Sequence, residues 1–277
     1  VEKIGGSTAG NLLATVGTVG TYLDTILAAH RAAAMGRAAR LDEARAAAGV
    51  PQGFRNALAG PPDGGLHVIA EVKRRSPSKG DLDADLVPSV LAKSYADGGA
   101  SCLSVLTDRD FFGGSPDDLA EAKAATDLPV LRKDFTVCEA DVCDARLMGA
   151  DAVLLIAAAL DDVELRAFLE LARDLRLDAL VEAHDEAEVE RALEAGADLI
   201  GVNQRDLVTF EVDTDRAVRV ASAIPDGVVV KVAESGIKTA ADARRLAEAG
   251  YHAVLVGETL VTSADPAAAL KELRLCS

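Results

Sequence analysis

Glu71 and Lys73 stand two residues apart at the end of an apolar run that begins at Leu66. In a strand the side-chain period is two, so this acid and this base share one face. Charged side chains are rarely buried unless they are paired or put to use. The placement reads as a buried ion pair or as the end of a catalytic strand, and the rest of the chain favours the second. Other apolar runs close on Lys133, on Glu182, on Asn203 with Arg205 just beyond, on Glu234-Ser235-Gly236 and on Gly257-Glu258. Lys73, Lys133 and Arg205 form a local cationic pocket in this reading, with base character from Glu71 and Glu182. Crowded cations depress one another's pKa, which is expected to make a lysine a better proton donor near neutrality. Ser235-Gly236 and Gly257 read as turns whose backbone N–H groups cradle a phosphate, provided Glu258 turns its carboxylate away. The implied chemistry is acid–base work on a small anionic sugar phosphate, with no cofactor and no metal.

Such groups need a scaffold that brings many strand ends together. Short apolar runs read as buried strands at 66–73, 102–107, 129–134, 152–157, 178–183, 199–203, 228–234 and 253–257. Amphipathic stretches of helical length lie between them, with Asp161, Asp185 and Thr239 as N-caps. Glycines at 98–99, 149, 196 and 250 stand where the helices should stop. Eight such units predict a (β/α)8 TIM barrel over residues 66–277. An open doubly wound sheet is the competing topology. It would place a glycine-rich turn after the first strand, where this chain has Arg74-Arg75-Ser76-Pro77. In a barrel the active site lies at the carboxyl ends of the strands, and phosphate sits in the last two loops. Residues 22–65 are expected to form an N-terminal helical extension, helical over 22–48 and a Gly- and Pro-rich connector over 54–65. Residues 1–21 read as a tail of unclear role.

Composition narrows the functional classes. With 277 residues, 49% of them hydrophobic, the chain suits one large α/β unit. Aromatics make up only 3% and Trp is absent, so the core must be aliphatic and base-stacking surfaces are scarce. The net charge of −16 argues against a nucleic-acid partner. Gly10, Gly17 and Gly20 interrupt the only N-terminal apolar run, which reads as neither signal peptide nor membrane span. Cys102, Cys138, Cys143 and Cys276 lack metal-ligand spacing and fit reduced thiols in the cytoplasm. The histidines are too scattered for a metal site. A monomer or weak homodimer is expected. Two further classes compete: an aldolase-like barrel whose strand-end lysine forms a Schiff base, and a catalytically silent barrel serving as an interaction module. The intact strand-end polar residues speak against the latter.

Residues 69–80, with Glu71, Lys73, Ser76, Pro77 and Gly80, resemble the signature of the indole-3-glycerol phosphate synthase family. So do residues 129–135 around Lys133, 180–182 ending in Glu182, 200–207 from Ile200 to Leu207, and 233–237 around Glu234-Ser235-Gly236. Gln204 departs from the asparagine common in the family, and the first twenty residues are foreign to it. The resemblance implies ring closure, decarboxylation and dehydration of 1-(2-carboxyphenylamino)-1-deoxyribulose 5-phosphate, a carboxy-lyase reaction of tryptophan biosynthesis. It casts Lys133 as the general acid of ring closure, and Lys73, Glu71 and Glu182 as sharing the dehydration. Asn203 and Glu234 would position groups, and Arg205 would face the substrate carboxylate or Glu182. Phe112 and Leu207 would pack on the anthranilate ring, with Ser76, Phe135 and Ser235 completing the substrate-binding set. Lys73, Gly236, Gly257 and Glu258 would form the phosphate subsite. The resemblance also implies that a helix before the first strand covers the site.

Overall fold

The computed structural model describes residues 21–60 and 65–274, so residues 1–20 of the expected tail and Cys276 lie outside the described residues. Among the described residues eight parallel strands close into a barrel. They are β1 (His67–Val72), β2 (Cys102–Leu106), β3 (Val130–Lys133), β4 (Ala152–Ile156), β5 (Asp178–Ala183), β6 (Leu199–Asn203), β7 (Val230–Glu234) and β8 (Ala253–Val256). β1 pairs with both β2 and β8, which closes the cylinder and leaves no barrel edge exposed. The open-sheet alternative is thereby ruled out. The stops and starts read from the sequence hold: Asp161, Asp185 and Thr239 each accept a backbone N–H at a helix N-terminus. Gly99, Gly149, Gly196 and Gly250 take positive φ at helix ends, a backbone conformation that a Cβ would strain.

Alternation along each strand sorts the core into two clusters. Val68, Ala70, Leu103, Val105, Val153 and Leu155 face outward against the helices. Ile69, Leu131, Leu154, Leu180, Val232 and Leu255 fill the barrel interior. The inward set turns polar only at the carboxyl ends. Glu71 follows Ile69 at the period of two, Lys133 follows Leu131, Glu182 follows Leu180, and Glu234 follows Val232. The apolar plug below and the charged group above are therefore products of one repeat.

The stretch read as helical over 22–48 is divided in two, and the extension holds three helices. It forms α1 (Tyr22–Ala34), α2 (Leu41–Ala46) and a further short helix, α3 (Asn56–Ala59). Gly36, at positive φ, lies in the break between α1 and α2. α1 covers the carboxyl end of the barrel: Ile26 is buried with the interior cluster, and the ring of His30 lies 5.3 Å from that of Phe135. The connector is not a mere linker. Phe54 and Leu58 are fully buried in the interior cluster at the opposite end, where the thiol of Cys102 donates to the Phe54 carbonyl.

Asp151 and Asp178 hold that lower closure in place. Asp151 accepts the backbone N–H groups of Gln52 at 2.6 Å and Val130 at 2.7 Å, and pairs with the Lys123 ammonium. Asp178 accepts the Arg55 backbone N–H at 2.9 Å. Asp151→Ala strands Lys123 and two amide donors. Breaking such a buried pair costs about 3–5 kcal/mol, and a melting temperature lower by about 10 °C is expected. Because Asp151 lies at the end remote from the charged mouth, kcat should stay near wild type. A melting temperature unchanged by the substitution would refute this anchoring role.

Candidate active site

Lys133 ends β3 with its ammonium inside the barrel mouth, 2.7 Å from Glu182 Oε2 and 2.8 Å from Glu234 Oε2. These partners come from β5 and β7, so the barrel's closure, not sequence proximity, assembles the triad. Asn203, ending β6 between them, donates from Nδ2 to Glu182 Oε1 at 3.0 Å and accepts the Arg205 backbone N–H at 3.0 Å. Gly201 puts no side chain on the inner face beneath. A Cβ there would collide with Glu234 Oε1 and lie 3.2 Å from Leu180 Cδ1. Glu71 and Lys73 form a close pair at the end of β1. Lys73 lies one residue beyond the observed strand, and the Tyr95 hydroxyl fixes the Glu71 carbonyl at 3.1 Å.

These groups line one cavity of about 900 Å³ at the carboxyl end. Every candidate residue read from the sequence reaches it. Ser76 lies in a short ribbon pairing Arg75–Ser76 with Gly80–Asp81, which folds the first loop over the opening. Phe112 and Phe135 meet as tilted rings with centroids 6.4 Å apart, and Leu207 packs against the interior cluster. On the far side, Ser235-Gly236 and Gly257 line the cavity with Glu258. Ser235 and Gly236 both take positive φ, so their turn is strained at the serine and relaxed at the glycine. Gly257 is hemmed in: a Cβ on it would meet the Glu71 carboxylate and lie 3.0 Å from Lys73 Nζ.

Two expectations need correction. Lys133 is flanked by carboxylates rather than by cations. Burial alone would lower its pKa, but the charges of Glu182, Glu234 and Glu71 outweigh that and push it up. The crowded-cation account of its acidity therefore fails, and the same carboxylates disfavour the neutral amine that a Schiff base needs. Arg205 does not face Glu182. Its guanidinium donates to Ser78 Oγ and the Phe210 carbonyl, each at 3.1 Å, and lies 4.0 Å from Glu258.

Sequence reading missed several neighbours. Tyr22 and Phe210 pack edge to face at 5.1 Å, joining α1 to the loop after β6. Gln204, noted from the sequence only as a departure from the family, donates from Nε2 to the Ser235 carbonyl at 2.7 Å and so braces the turn after β7. His184 lies just past β5, 3.8 Å from Glu182, and continuing the strand's period of two past Glu182 would have found it. His30, Asp108 and Asp134 converge from three distant segments. His30 Nε2 is 2.7 Å from Asp108 Oδ2, while Asp134 accepts from Thr107 Oγ1 at 2.5 Å and Arg132 Nη2 at 2.8 Å. These oxygens already serve protein donors, and the Arg132 charge opposes a cation there.

A family model described as indole-3-glycerol phosphate synthase matches residues 23–273. Among curated relatives, indole-3-glycerol phosphate synthase 2 of Streptomyces coelicolor is 52% identical over 235 residues, covering 85% of this chain and 90% of its own length. The Micrococcus luteus indole-3-glycerol phosphate synthase is 51% identical over 241 residues, covering 86% of this chain and 90% of its own. Among solved structures, 3-hexulose-6-phosphate synthase from Salmonella typhimurium superposes with a TM-score of 0.60 at 16% identity, over 76% of this chain and 97% of its own. That last likeness concerns the fold alone.

The two carboxylates around Lys133 titrate in opposite directions. For Glu182 burial acts upward, but the charges of Lys133 and His184 and the bonds from Lys133 and Asn203 bring it well below the usual range. Glu234 is pushed up to about 7, by burial first and then by the like charge of Glu182, against the pull of Lys133. A raised carboxylate pKa adds stability that is fully present below the unfolded value of 4.5 and is lost as pH rises through about 7. Glu234→Gln removes that loss. Its melting temperature relative to wild type is expected to climb between about pH 5 and about pH 8. A difference that stays flat across this window would show that Glu234 is ionised throughout.

Proposed function

The chain belongs to the indole-3-glycerol phosphate synthase family, and from that premise we propose how its residues divide the conversion of 1-(2-carboxyphenylamino)-1-deoxyribulose 5-phosphate to indole-3-glycerol phosphate, CO2 and water. The observation that carries the assignment is a single ammonium, Lys133, held by Glu182 and Glu234 at the centre of the strand ends. In ring closure the aryl carbon that bears the carboxylate bonds to the ketone carbon. The ketone oxygen takes up the electron pair and a proton from Lys133. Lys133 is a weak acid here, yet an alkoxide is a stronger base than a lysine amine, so the transfer runs downhill as the bond forms. The C–CO2 bond then breaks, and its electrons restore the aromatic ring. In dehydration the hydroxyl leaves as water with a proton from Lys73, which Glu71 holds at the end of β1. Glu182 takes the proton released as the indole double bond forms. Asn203 orients Glu182, and Glu234 holds the Lys133 ammonium from its other side.

Substrate binding follows from the remaining lining. Phe112, Phe135 and Leu207 offer an apolar slot for the anthranilate ring, with Ser76 at its edge. Arg205 stands free of Glu182 and is available to the substrate carboxylate. Ser235-Gly236 and Gly257 supply the phosphate cup, with Lys73 beside Gly257. Glu258, near Lys79 and Arg205, stands at its rim rather than among its donors. Residues 22–65 act in this reading as a cover that closes both ends of the barrel over residues 66–277. No described helix is long and apolar enough to cross a membrane, and we take the enzyme to act in the cytoplasm as a monomer or weak homodimer.

The test is incubation of the purified protein with the anilino-deoxyribulose phosphate, followed by indole fluorescence. Lys133→Ala is expected to lower kcat by roughly 10²–10⁴ while KM changes much less, as befits a positioned proton donor. A variant that turns over near the wild-type rate would remove Lys133 from the chemistry. Inorganic phosphate is expected to compete with substrate in the wild type. Gly236→Val should escape that inhibition, because its Cβ would stand 2.6 Å from Val212 Cγ1 and displace the turn. Equal inhibition of both proteins would put the phosphate elsewhere.

A further inference from the structure

His184 follows Glu182 by two residues, and the mechanism above makes no use of it. Its side chain is 13% exposed. Nδ1 lies 3.0 Å from Glu188 Oε2, and that same oxygen accepts the His184 backbone N–H at 2.8 Å. A carboxylate accepts and does not donate, so Nδ1 carries a proton. Nε2 is buried without a hydrogen-bond partner and faces Glu182 Oε1 at 3.8 Å. A neutral imidazole with its proton on Nδ1 would aim a lone pair at a carboxylate. A cationic one aims an N–H bond at it, so the surroundings select the cation.

Three charged groups face this ring. Glu182 from β5 and Glu188 from the helix Glu186–Glu194 favour the imidazolium, and Arg216 from the helix Arg216–Val220 opposes it. Burial also acts downward, and the two carboxylates outweigh both, leaving the pKa above the ordinary histidine value. Glu182 thus has cations on two sides. Oε2 holds Lys133, while Oε1 faces His184 and accepts the Asn203 amide.

We propose that His184 is a positioning residue: as an imidazolium it shares the charge of Glu182 with Lys133, and so loosens the hold that keeps Lys133 from handing its proton to the ketone oxygen. The inference rests on the assignment of Lys133 as acid and Glu182 as its partner. When His184 loses its proton, the full negative charge of Glu182 falls on Lys133, and proton release becomes harder. Turnover should therefore fall as pH rises through the His184 ionisation. Substrate affinity should change little, because the phosphate cup lies across the barrel on β7 and β8.

The experiment is kcat and KM against pH for wild type, His184→Gln, Glu188→Gln and Glu182→Gln, with melting temperatures for each. His184→Gln is expected to lower kcat by about tenfold on the acid side of the wild-type limb, with KM within about twofold, and to abolish the limb. Glu188→Gln keeps the imidazole but removes one of its carboxylates, so the limb should move about one unit toward acid. A merely structural role would change stability or overall rate but would not move an ionisation. If His184→Gln does not fold, the shift in Glu188→Gln decides alone. A folded His184→Gln, or a Glu188→Gln, with the wild-type pH profile overturns the inference. Glu182→Gln separates the two levels. If it abolishes turnover while the other variants keep the wild-type profile, only the role of His184 fails. If it keeps wild-type turnover, the assignment of Glu182 fails and the role of His184 with it.

Discussion

The Lys133 ammonium holds the mouth of this barrel together. Glu71, Glu182 and Glu234 are all nearly inaccessible to water, and three buried carboxylates would repel one another strongly without a cation among them. Lys133 contacts two of them directly, and Lys73 takes the third. Much else in the sequence follows from seating that ammonium. β3, β5 and β7 must each end on an inward position at the same height. β6 must supply Gly201, because any side chain there would occupy the volume taken by the Glu234 carboxylate. Asn203 must fill the next inward place with a neutral donor, since a further charge would upset the balance.

The extension packs against the barrel interior at both ends of the cylinder. α1 packs on Phe111 and Phe135 at the carboxyl end, tied down by Arg31 in a two-point pair with Glu164 and by His30 on Asp108. Arg37 and Arg40 then pair with Asp144 as the chain descends the barrel wall. Phe54 and Leu58 finish as an apolar plug beneath the interior cluster. Exposed ion pairs are individually weak, so the burial of Ile26, Phe54 and Leu58 supplies most of the adhesion and the arginines fix the register. The apolar interior beneath Lys133 keeps the effective dielectric on that side low, which strengthens its interactions with Glu182 and Glu234.

The strands and their polar ends were legible in the sequence because a barrel interior obeys a period of two, and a charge at an inward position breaks an aliphatic pattern visibly. The turns at Ser235-Gly236 and Gly257 were legible for a related reason, since glycine at the end of an apolar run marks backbone that needs room. What lay hidden depended on neighbours distant in sequence. The carboxylates around Lys133 come from 49 and 101 residues away, so a reading of strand ends counted nearby lysines instead and reversed the direction of the pKa shift. His30, Asp108 and Asp134 lie on three separate segments and meet only after α1 folds back. Phe54 and Leu58 were obscured by surrounding Gly and Pro, which mark a connector without showing that it is buried.

The opposite behaviour of Glu182 and Glu234 shows how one barrel mouth can hold an acid and a base at once. Both are buried to the same degree, and both contact the same ammonium at nearly the same distance. The difference lies in their second oxygens. Oε1 of Glu182 accepts the Asn203 amide and faces His184, so its charge is solvated by the protein. Oε1 of Glu234 is buried against Gly201 and has no hydrogen-bond partner, so its charge is stabilised on one side only. Burial then drives Glu234 toward the neutral form, while donors hold Glu182 ionised. Environments that push two carboxylates apart in this way are how protein sites assign separate proton-handling roles to chemically identical groups. Here the assignment is made by what stands at two adjacent inward positions of β6, glycine beneath Glu234 and asparagine beside Glu182.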